Sequence, residues 1–399
     1  MYRMKSIPTT HDDHDGDTAP NTFRAWLAVV SLAIGSFATV TAEFLPVGLL
    51  PDIAQNFGIS SGSAGLMMTL PGVLAALSAP GIMLVAGRCD RKMILLLLSA
   101  ILLVSCLLSA FATSFVILLI GRALVGVSLG AFWAMALAVA VRLVPAAKSQ
   151  KASAAVFAGV TAAMILGVPL GNLVAENYSW RGAFLAAGGI ATLAMVLQAF
   201  SLPSVPAQGR FQFAALLNAA RPPATKLSML MIALMFAAHF GAYTYVAPLL
   251  LQASISAADI TLLLFAYGFA GFVSNFVASH FLAKQMKATL LSAKLLLLVP
   301  LLCMPLMVSS APTEMVLLVI WGMAWGALPV CLNAWNRATS KADGESTAAV
   351  FTFTCQIAIA LGSGAGGFVV DHSGLATTFW LASGAVALSA ALLWRARRS

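Results

Sequence analysis

The sequence predicts an all-α membrane protein of twelve transmembrane helices arranged as two halves of six. Three observations predict it. Of 399 residues, 61% are hydrophobic and 9% charged, against roughly 45–50% and about 25% in soluble domains. Apolar runs near the roughly 20 residues that cross a bilayer recur twelve times. Lys and Arg gather in every second connection between those runs. A water-soluble fold cannot cover this much apolar side chain, and the same composition excludes a disordered chain.

The runs span 26–50, 63–86, 93–111, 115–141, 152–175 and 182–200, then 227–251, 260–282, 289–308, 315–336, 346–369 and 375–394. The expected organisation is a polar tail (1–25), an N-terminal half (26–200), a central loop (201–226), a C-terminal half (227–394) and a short end (395–399). Segments 1–25, 87–92, 142–151, 201–226, 283–288, 337–345 and 395–399 hold 19 of the 22 Lys and Arg, and the alternate loops hold Arg181 alone. By the positive-inside rule both termini are cytoplasmic. The net charge of +9 then belongs to short loops and orients the chain, so no nucleic-acid partner is expected. Arg122 and Lys294 lie within spans, and Lys294 is near enough to a basic end to snorkel.

The two halves match at an offset of 195–196 residues. Leu166, Gly167, Gly171, Phe184 and Gly189 correspond to Leu361, Gly362, Gly366, Phe379 and Gly384. Gly126, Gly130 and Ala131 correspond to Gly322, Gly326 and Ala327, and Glu176 matches Asp371 in type. Parallel repeats with a site between them are one plan used by transporters; the alternative is chance recurrence of small residues in Gly-rich helices.

Several chemistries are absent. Cys89, Cys106, Cys303, Cys331 and Cys355 are scattered, with no CxxC, so neither a disulfide framework nor a zinc site is expected. No GxxxxGK[ST] occurs; the Gly-rich runs Gly167–Gly171 and Gly362–Gly367 read as close-packing helix surfaces, with Pro169 an expected kink. The tail His11-Asp12-Asp13-His14-Asp15 reads as solvated rather than metal-binding, and residues 1–25, with four Asp, do not read as a signal peptide. No nucleophile–base pair lies at one depth. An enzyme, a resident metal and a cofactor are therefore not expected.

Glu43 is the single acid placed inside a span, the other twelve falling in the tail, loops or span ends. Intramembrane carboxylates are costly and mark ion or proton pathways. Ser36, Thr39 and Glu43 share a helical face, consistent with a wetted stripe. Arg122 lies at a similar depth on the fourth span and keeps its proton, so it suits discharging the Glu43 carboxylate, holding an anionic or polar substrate, or a permanent structural pair with Glu43. Gly126, Gly130 and Trp133 continue its face. His239 sits mid-span with Tyr243 one turn on; it suits titration, a hydroxylated ligand or plain packing. Trp325, Asn333, Asn336, Thr352 and Gln356 add uncharged groups suited to hydroxyls or a base, or to gluing helices together.

These residues, taken in order, resemble the major facilitator superfamily in its drug/proton antiporter-like branch. The stretch Thr41-Ala42-Glu43-Phe44-Leu45-Pro46-Val47-Gly48-Leu49-Leu50 is similar to the first-helix signature of arabinose-type sugar efflux and purine ribonucleoside efflux pumps. Gly121-Arg122, Phe132-Trp133-Ala134-Met135, Arg142-Leu143-Val144-Pro145 and Ile320-Trp321-Gly322 lean towards the ribonucleoside pumps. His239, Ala242-Tyr243 and Tyr245 look like the sugar relatives. The resemblance implies that Arg122 matches the fourth-helix arginine linked to proton coupling. It also implies that Gly167, Pro169 and Gly171 match the fifth-helix antiporter motif, with Val168 separating the usual Gly-Pro. Arg88, Arg91 and Lys92 match the basic part of the motif between helices 2 and 3; Gly87 replaces its usual Asp, and Asp90 follows three positions later.

The expected function is proton-coupled efflux by alternating access, at the inner membrane of a bacterium, from a monomer. The expected partners are a small hydroxylated solute, protons and the lipid bilayer. Purine ribonucleosides come first, with sugar or multidrug efflux as alternatives. A non-transporting sensor is the rival of another class; the short tail and C-terminus count against it. Direction of transport rests on the resemblance alone.

Overall fold

The computed structural model describes residues 22–396 apart from 86–88, 207–212, 308–310, 341 and 343. The His11–Asp15 tail, Gly87 and Arg88 lie outside the described residues. Among the described residues, twelve helices are long and apolar enough to span a membrane. They are α1 (Phe23–Phe57), α2 (Ser61–Ile82), α3 (Arg91–Ala110), α4 (Phe115–Arg142), α5 (Ala146–Asn177), α6 (Trp180–Ser201), α7 (Pro223–Gln252), α8 (Ala257–Leu282), α9 (Lys284–Leu306), α10 (Ala311–Thr339), α11 (Ser346–Ser373) and α12 (Leu375–Arg395). Large apolar side chains such as Leu97, Val116, Phe200, Phe276 and Trp394 are exposed on their outer faces, as required where the surrounding solvent is hydrocarbon.

One apolar core fills the C-terminal six helices, centred on Met235, Leu264, Trp321 and Phe379. Two fill the N-terminal six, around Leu49, Leu118 and Phe184 and around Leu32, Leu98 and Phe132. Glycines set the distances within each half, and they do so twice. A Cβ on Gly126 or Gly130 of α4 would fall 2.3 Å from Pro71 O or 2.1 Å from Ala75 O on α2. A Cβ on Gly322 or Gly326 of α10 would fall 2.1 Å from Tyr267 O or 2.0 Å from Gly271 O on α8. Each residue of the first set is followed by its counterpart 196 positions later. The contacts repeat again, at offsets of 195–196, where α5 meets α1, Gly167 lying against Thr41 and Gly171 against Leu45, and where α11 meets α7, Gly362 lying against Ala237 and Gly366 against Gly241. The internal match is thus one of contacts as well as letters.

Helix ends depart from the hydropathy pattern where polar residues continue a helix. The first helix runs on through Pro51, Asp52 and Gln55 to Phe57. The seventh is broken, Pro223–Tyr243 and Val246–Gln252 flanking Thr244 and Tyr245. Helices α8 and α9 run on as one stretch with a kink at Gln285, the second residue of α9. Two placements are corrected. Lys294 does not snorkel: it is fully buried, and its ammonium donates to Ser389 O at 3.1 Å and Ser389 Oγ at 2.9 Å on α12. Glu314, placed by hydropathy outside the tenth span, lies in the first turn of its helix. It is wholly buried with neither carboxyl oxygen partnered, so Glu43 is not the only acid inside the bundle.

At the end of the bundle bearing the termini, Asp90 organises the exit from α6. It caps α3 by accepting from Lys92 N at 2.8 Å. It also accepts from Val205 N at 3.0 Å and from the Ser204 hydroxyl. Arg91 N donates to Val205 O at 3.0 Å, and Arg142 to Pro206 O at 2.9 Å. Partial burial pushes the Asp90 carboxyl up, but the bonds from Ser204, Val205 and Lys92 and the Lys92 charge outweigh it and hold the group below its ordinary 3.8. A depressed carboxyl stabilises the fold above that value and loses its contribution as pH falls through the folded one. Asp90→Ala is expected to cost about 1 kcal/mol, as for a lost N-cap, read as a lower unfolding temperature in detergent at pH 7. The difference from the parent should vanish once Asp90 is protonated.

Candidate functional site

Arg122 stands at the junction of α1, α2 and α4, fully buried. Its Nη1 donates to Ala42 O at 2.5 Å, its Nη2 to Glu43 O at 2.7 Å and its Nε to Met67 O at 2.9 Å. Two of these acceptors have a common origin. An α-helical carbonyl accepts from the N–H four residues later, and proline has none. Pro46 therefore strands the carbonyl of Ala42, and Pro71 strands that of Met67. With no water in the bilayer core, such groups must be satisfied from inside the protein. One planar guanidinium with five fixed donors reaches both. The side-chain ion pair expected between Arg122 and Glu43 is replaced by this main-chain set, although the two charges remain close enough to act on one another.

The Glu43 carboxylate is thereby left without a committed partner. It is buried, and its Oε1 has no hydrogen-bond partner. The group that approaches it comes from the other half: the Gln356 side chain on α11. Gln356 is itself buried, with its Oε1 unpartnered, and Asn333 on α10 also buries an unpartnered Oδ1. Beside Glu43, Phe44 stacks on Phe240 of α7 with ring centroids 5.4 Å apart. Carboxylate, amide and aromatic rings thus meet where the halves meet.

Other expected candidates take different places. Thr39 is buried and its hydroxyl returns to Gly35 O at 2.7 Å, so with buried Ser36 it makes no open polar stripe. Gly126 and Gly130 face α2, whereas Trp133 turns to Phe157 of α5, 5.8 Å away. Pro169 and Gly171 are buried on α5. Arg91, which buries an unpartnered Nη1, and Lys92 stand beside the Asp90 cap. Asn336 bonds Ser228 at 3.0 Å and Thr347 O at 3.2 Å, which ties α10 to α7 and α11.

His239 sits in an aromatic box inside the C-terminal half. Its ring lies parallel to Trp325, centroids 3.5 Å apart, with Tyr243 stacked on the same ring at 5.0 Å. Trp321 Nε1–H donates to Nδ1 at 3.0 Å, and the Tyr267 hydroxyl lies 3.4 Å from Nε2. Because an indole nitrogen only donates, Nδ1 is the acceptor and the ring proton is assigned to Nε2. Both nitrogens are occupied within the half. Phe240 and Tyr267 were not expected from sequence, and Phe44 and Trp321 entered only as parts of motifs, since nothing in their local spacing sets them apart from core aromatics. The prolines four residues after Ala42 and Met67 were the one available signal for the Arg122 cradle.

Residues 32–363 match the family model described as Major Facilitator Superfamily. The chain belongs to the major facilitator superfamily. Among this superfamily's members, it is 33% identical over 377 residues to the purine ribonucleoside efflux pump NepI of Salmonella typhimurium, covering 94% of each chain. It is 33% identical over 384 residues to the NepI of Salmonella enteritidis, covering 96% of each. Among solved structures, a bacterial homologue of the human lysosomal transporter Spinster, in an inward-facing and occupied conformation, matches with a TM-score of 0.75 at 16% identity, over 94% of this chain and 97% of that one. The human organic anion transporter MFSD10 matches with a TM-score of 0.65 at 19% identity, over 94% and 100%. These last two likenesses concern the fold. As a major facilitator the chain is a multi-pass membrane transporter of a small molecule, related to purine ribonucleoside efflux pumps, and not an enzyme.

Proposed function

We propose that the chain exports purine ribonucleosides, or a closely related small neutral hydroxylated solute, in exchange for protons. The observation that carries the coupling is Glu43, a buried carboxylate with a free oxygen, approached from the opposite half by Gln356. A carboxylate spent on a permanent ion pair would be poorly placed to exchange a proton, and here the main-chain carbonyls occupy Arg122 instead. The unpartnered oxygens of Glu43, Gln356 and Asn333 accept hydrogen bonds, which suits the hydroxyl and amino donors of a nucleoside. The substrate class rests on the 33% identity over most of the chain to ribonucleoside pumps.

In this reading both termini and the central loop lie in the cytoplasm of a bacterium, and a monomer suffices. The solute binds between the halves with Glu43 ionised, and the halves rock to face the far side. Protonation of Glu43 there weakens its acceptor role, releases the solute and permits the return. Each ligand moves the equilibrium only by its differential affinity for the two states.

The test is proton movement in inverted vesicles holding a pH gradient. Inosine is expected to dissipate the gradient, with arabinose and a cationic dye without effect. Dissipation by arabinose or dye instead would keep the mechanism and replace the substrate. Inosine uptake with no proton movement would remove the coupling.

A further inference from the structure

Across the middle of the membrane and towards the end remote from the termini, the halves meet along two seams related by the internal repeat. On the α2–α11 seam, a Cβ on Gly72 would fall 3.1 Å from Ala360 Cβ; on the α5–α8 seam, a Cβ on Gly268 would fall 2.9 Å from Ile165 Cα. Each seam ends in a carboxylate, Asp371 on α11 and Glu176 on α5. From this likeness the two ends diverge. Asp371 accepts from the Ser60 hydroxyl at 2.7 Å and from Gly62 N at 3.0 Å. It is backed by Thr69 bonding Ser363 at 3.1 Å and by Tyr245 donating to Ser363 O at 2.7 Å. Gly62 lies close against Gly367, where a Cβ would fall 2.2 Å from the Gly367 carbonyl.

Among the described residues, Glu176 makes one bond across its seam, from the Thr261 hydroxyl at 2.5 Å. The residue standing where Ser60 stands in the other half is Ser256, and its hydroxyl is committed to Asp259 of its own helix at 2.7 Å. Ala258 stands where Gly62 does. Beside this single bond opens a cavity of about 380 Å³ walled by both halves, with Asp52 and Glu176 exposed around it. Asn172, which is 6% exposed, lines it with its Oδ1 unpartnered against Gly48.

We propose that the remote end opens at the α5–α8 seam, with Glu176–Thr261 as its latch, and that this cavity is the exit vestibule for the solute. The α2–α11 seam, held by two bonds to Asp371 and close backbone contact, is the side about which the halves part. Asp52, Asn172 and Glu176 offer acceptor oxygens to a donor-rich solute, as carboxylates do to a ribose diol. The identity of the solute rests on the export reading above; the order of opening does not.

The experiment uses the full chain with its exposed Cys89 changed to Ser. Glu176→Cys with Thr261→Cys, or Ser60→Cys with Asp371→Cys, is joined by a short bifunctional thiol linker, and inosine export is compared with the unlinked form of each pair. Linking the α5–α8 seam is expected to bring export to background. Linking the α2–α11 seam should slow it by less than about twofold, as opening there does not set turnover. Equal loss from both links, or loss from the α2–α11 link alone, overturns the proposal. A second readout needs no substrate: Ile165→Cys and Ala360→Cys are labelled by a membrane-impermeant thiol reagent from the remote side. Faster labelling at Ile165→Cys supports the order of opening, and equal or reversed labelling overturns it. A parent that labels as expected yet does not move inosine would reject the substrate and leave the vestibule standing.

Discussion

Arg122→Leu is expected to unfold in detergent well below the parent. Two main-chain carbonyls, of Ala42 and Met67, would lose the donor that stands in for the missing N–H groups of Pro46 and Pro71. At about 1–3 kcal/mol for each buried unsatisfied group, the expected loss is about 2–6 kcal/mol. Relief from burying a charge works in the opposite direction, so the single variant is not the whole test. Pro46→Ala with Pro71→Ala restores both helical N–H donors and is expected to recover most of the stability in the Arg122→Leu background. Arg122→Lys should fall between, because one ammonium cannot serve acceptors on two helices with the guanidinium's fixed fork. If Arg122→Leu unfolds at the parent's temperature, or the alanine pair gives no recovery, the carbonyls are satisfied in some other way.

Glu43→Gln is expected to fold like the parent and lose active export while keeping downhill exchange of the solute. The amide preserves the shape and an acceptor oxygen, and the Arg122 bond to residue 43 runs to its main-chain carbonyl. What the substitution removes is a group that exchanges a proton. Counterflow of labelled inosine should therefore persist, whereas an imposed pH gradient should no longer drive accumulation. Gln356→Leu is a useful companion, since it removes the facing amide but leaves the carboxyl; the pH dependence of export should shift without abolishing coupling. Unchanged gradient-driven export in Glu43→Gln would make this carboxylate structural and move the search to Glu314, the other buried acid with unpartnered oxygens among the described residues.

The two variants separate roles that the sequence places side by side. Glu43 and Arg122 stand at similar depth on neighbouring helices, which makes an ion pair the natural expectation. The helices decide otherwise because proline creates a stronger claim on the guanidinium. A carbonyl stranded in hydrocarbon has no other donor, while a carboxyl group can meet its burial by holding a proton.

Membrane insertion, the twelve spans, the family and the repeat were all legible in the order of residues. Each depends on something local or periodic: the length of an apolar run, the loops that carry Lys and Arg, a glycine recurring 196 positions later where a helix must approach a backbone. Which partner a polar group takes was decided only by the tertiary structure. Lys294 turns inward to Ser389 rather than out to the membrane surface. His239 gives both nitrogens to its own half, and Asp371 gains a second donor where Glu176 does not. Helical spacing fixes the face a side chain occupies, but its hydrogen bonds depend on which residues of other helices arrive opposite it. That is set by how twelve helices pack together, and no single stretch of sequence contains it.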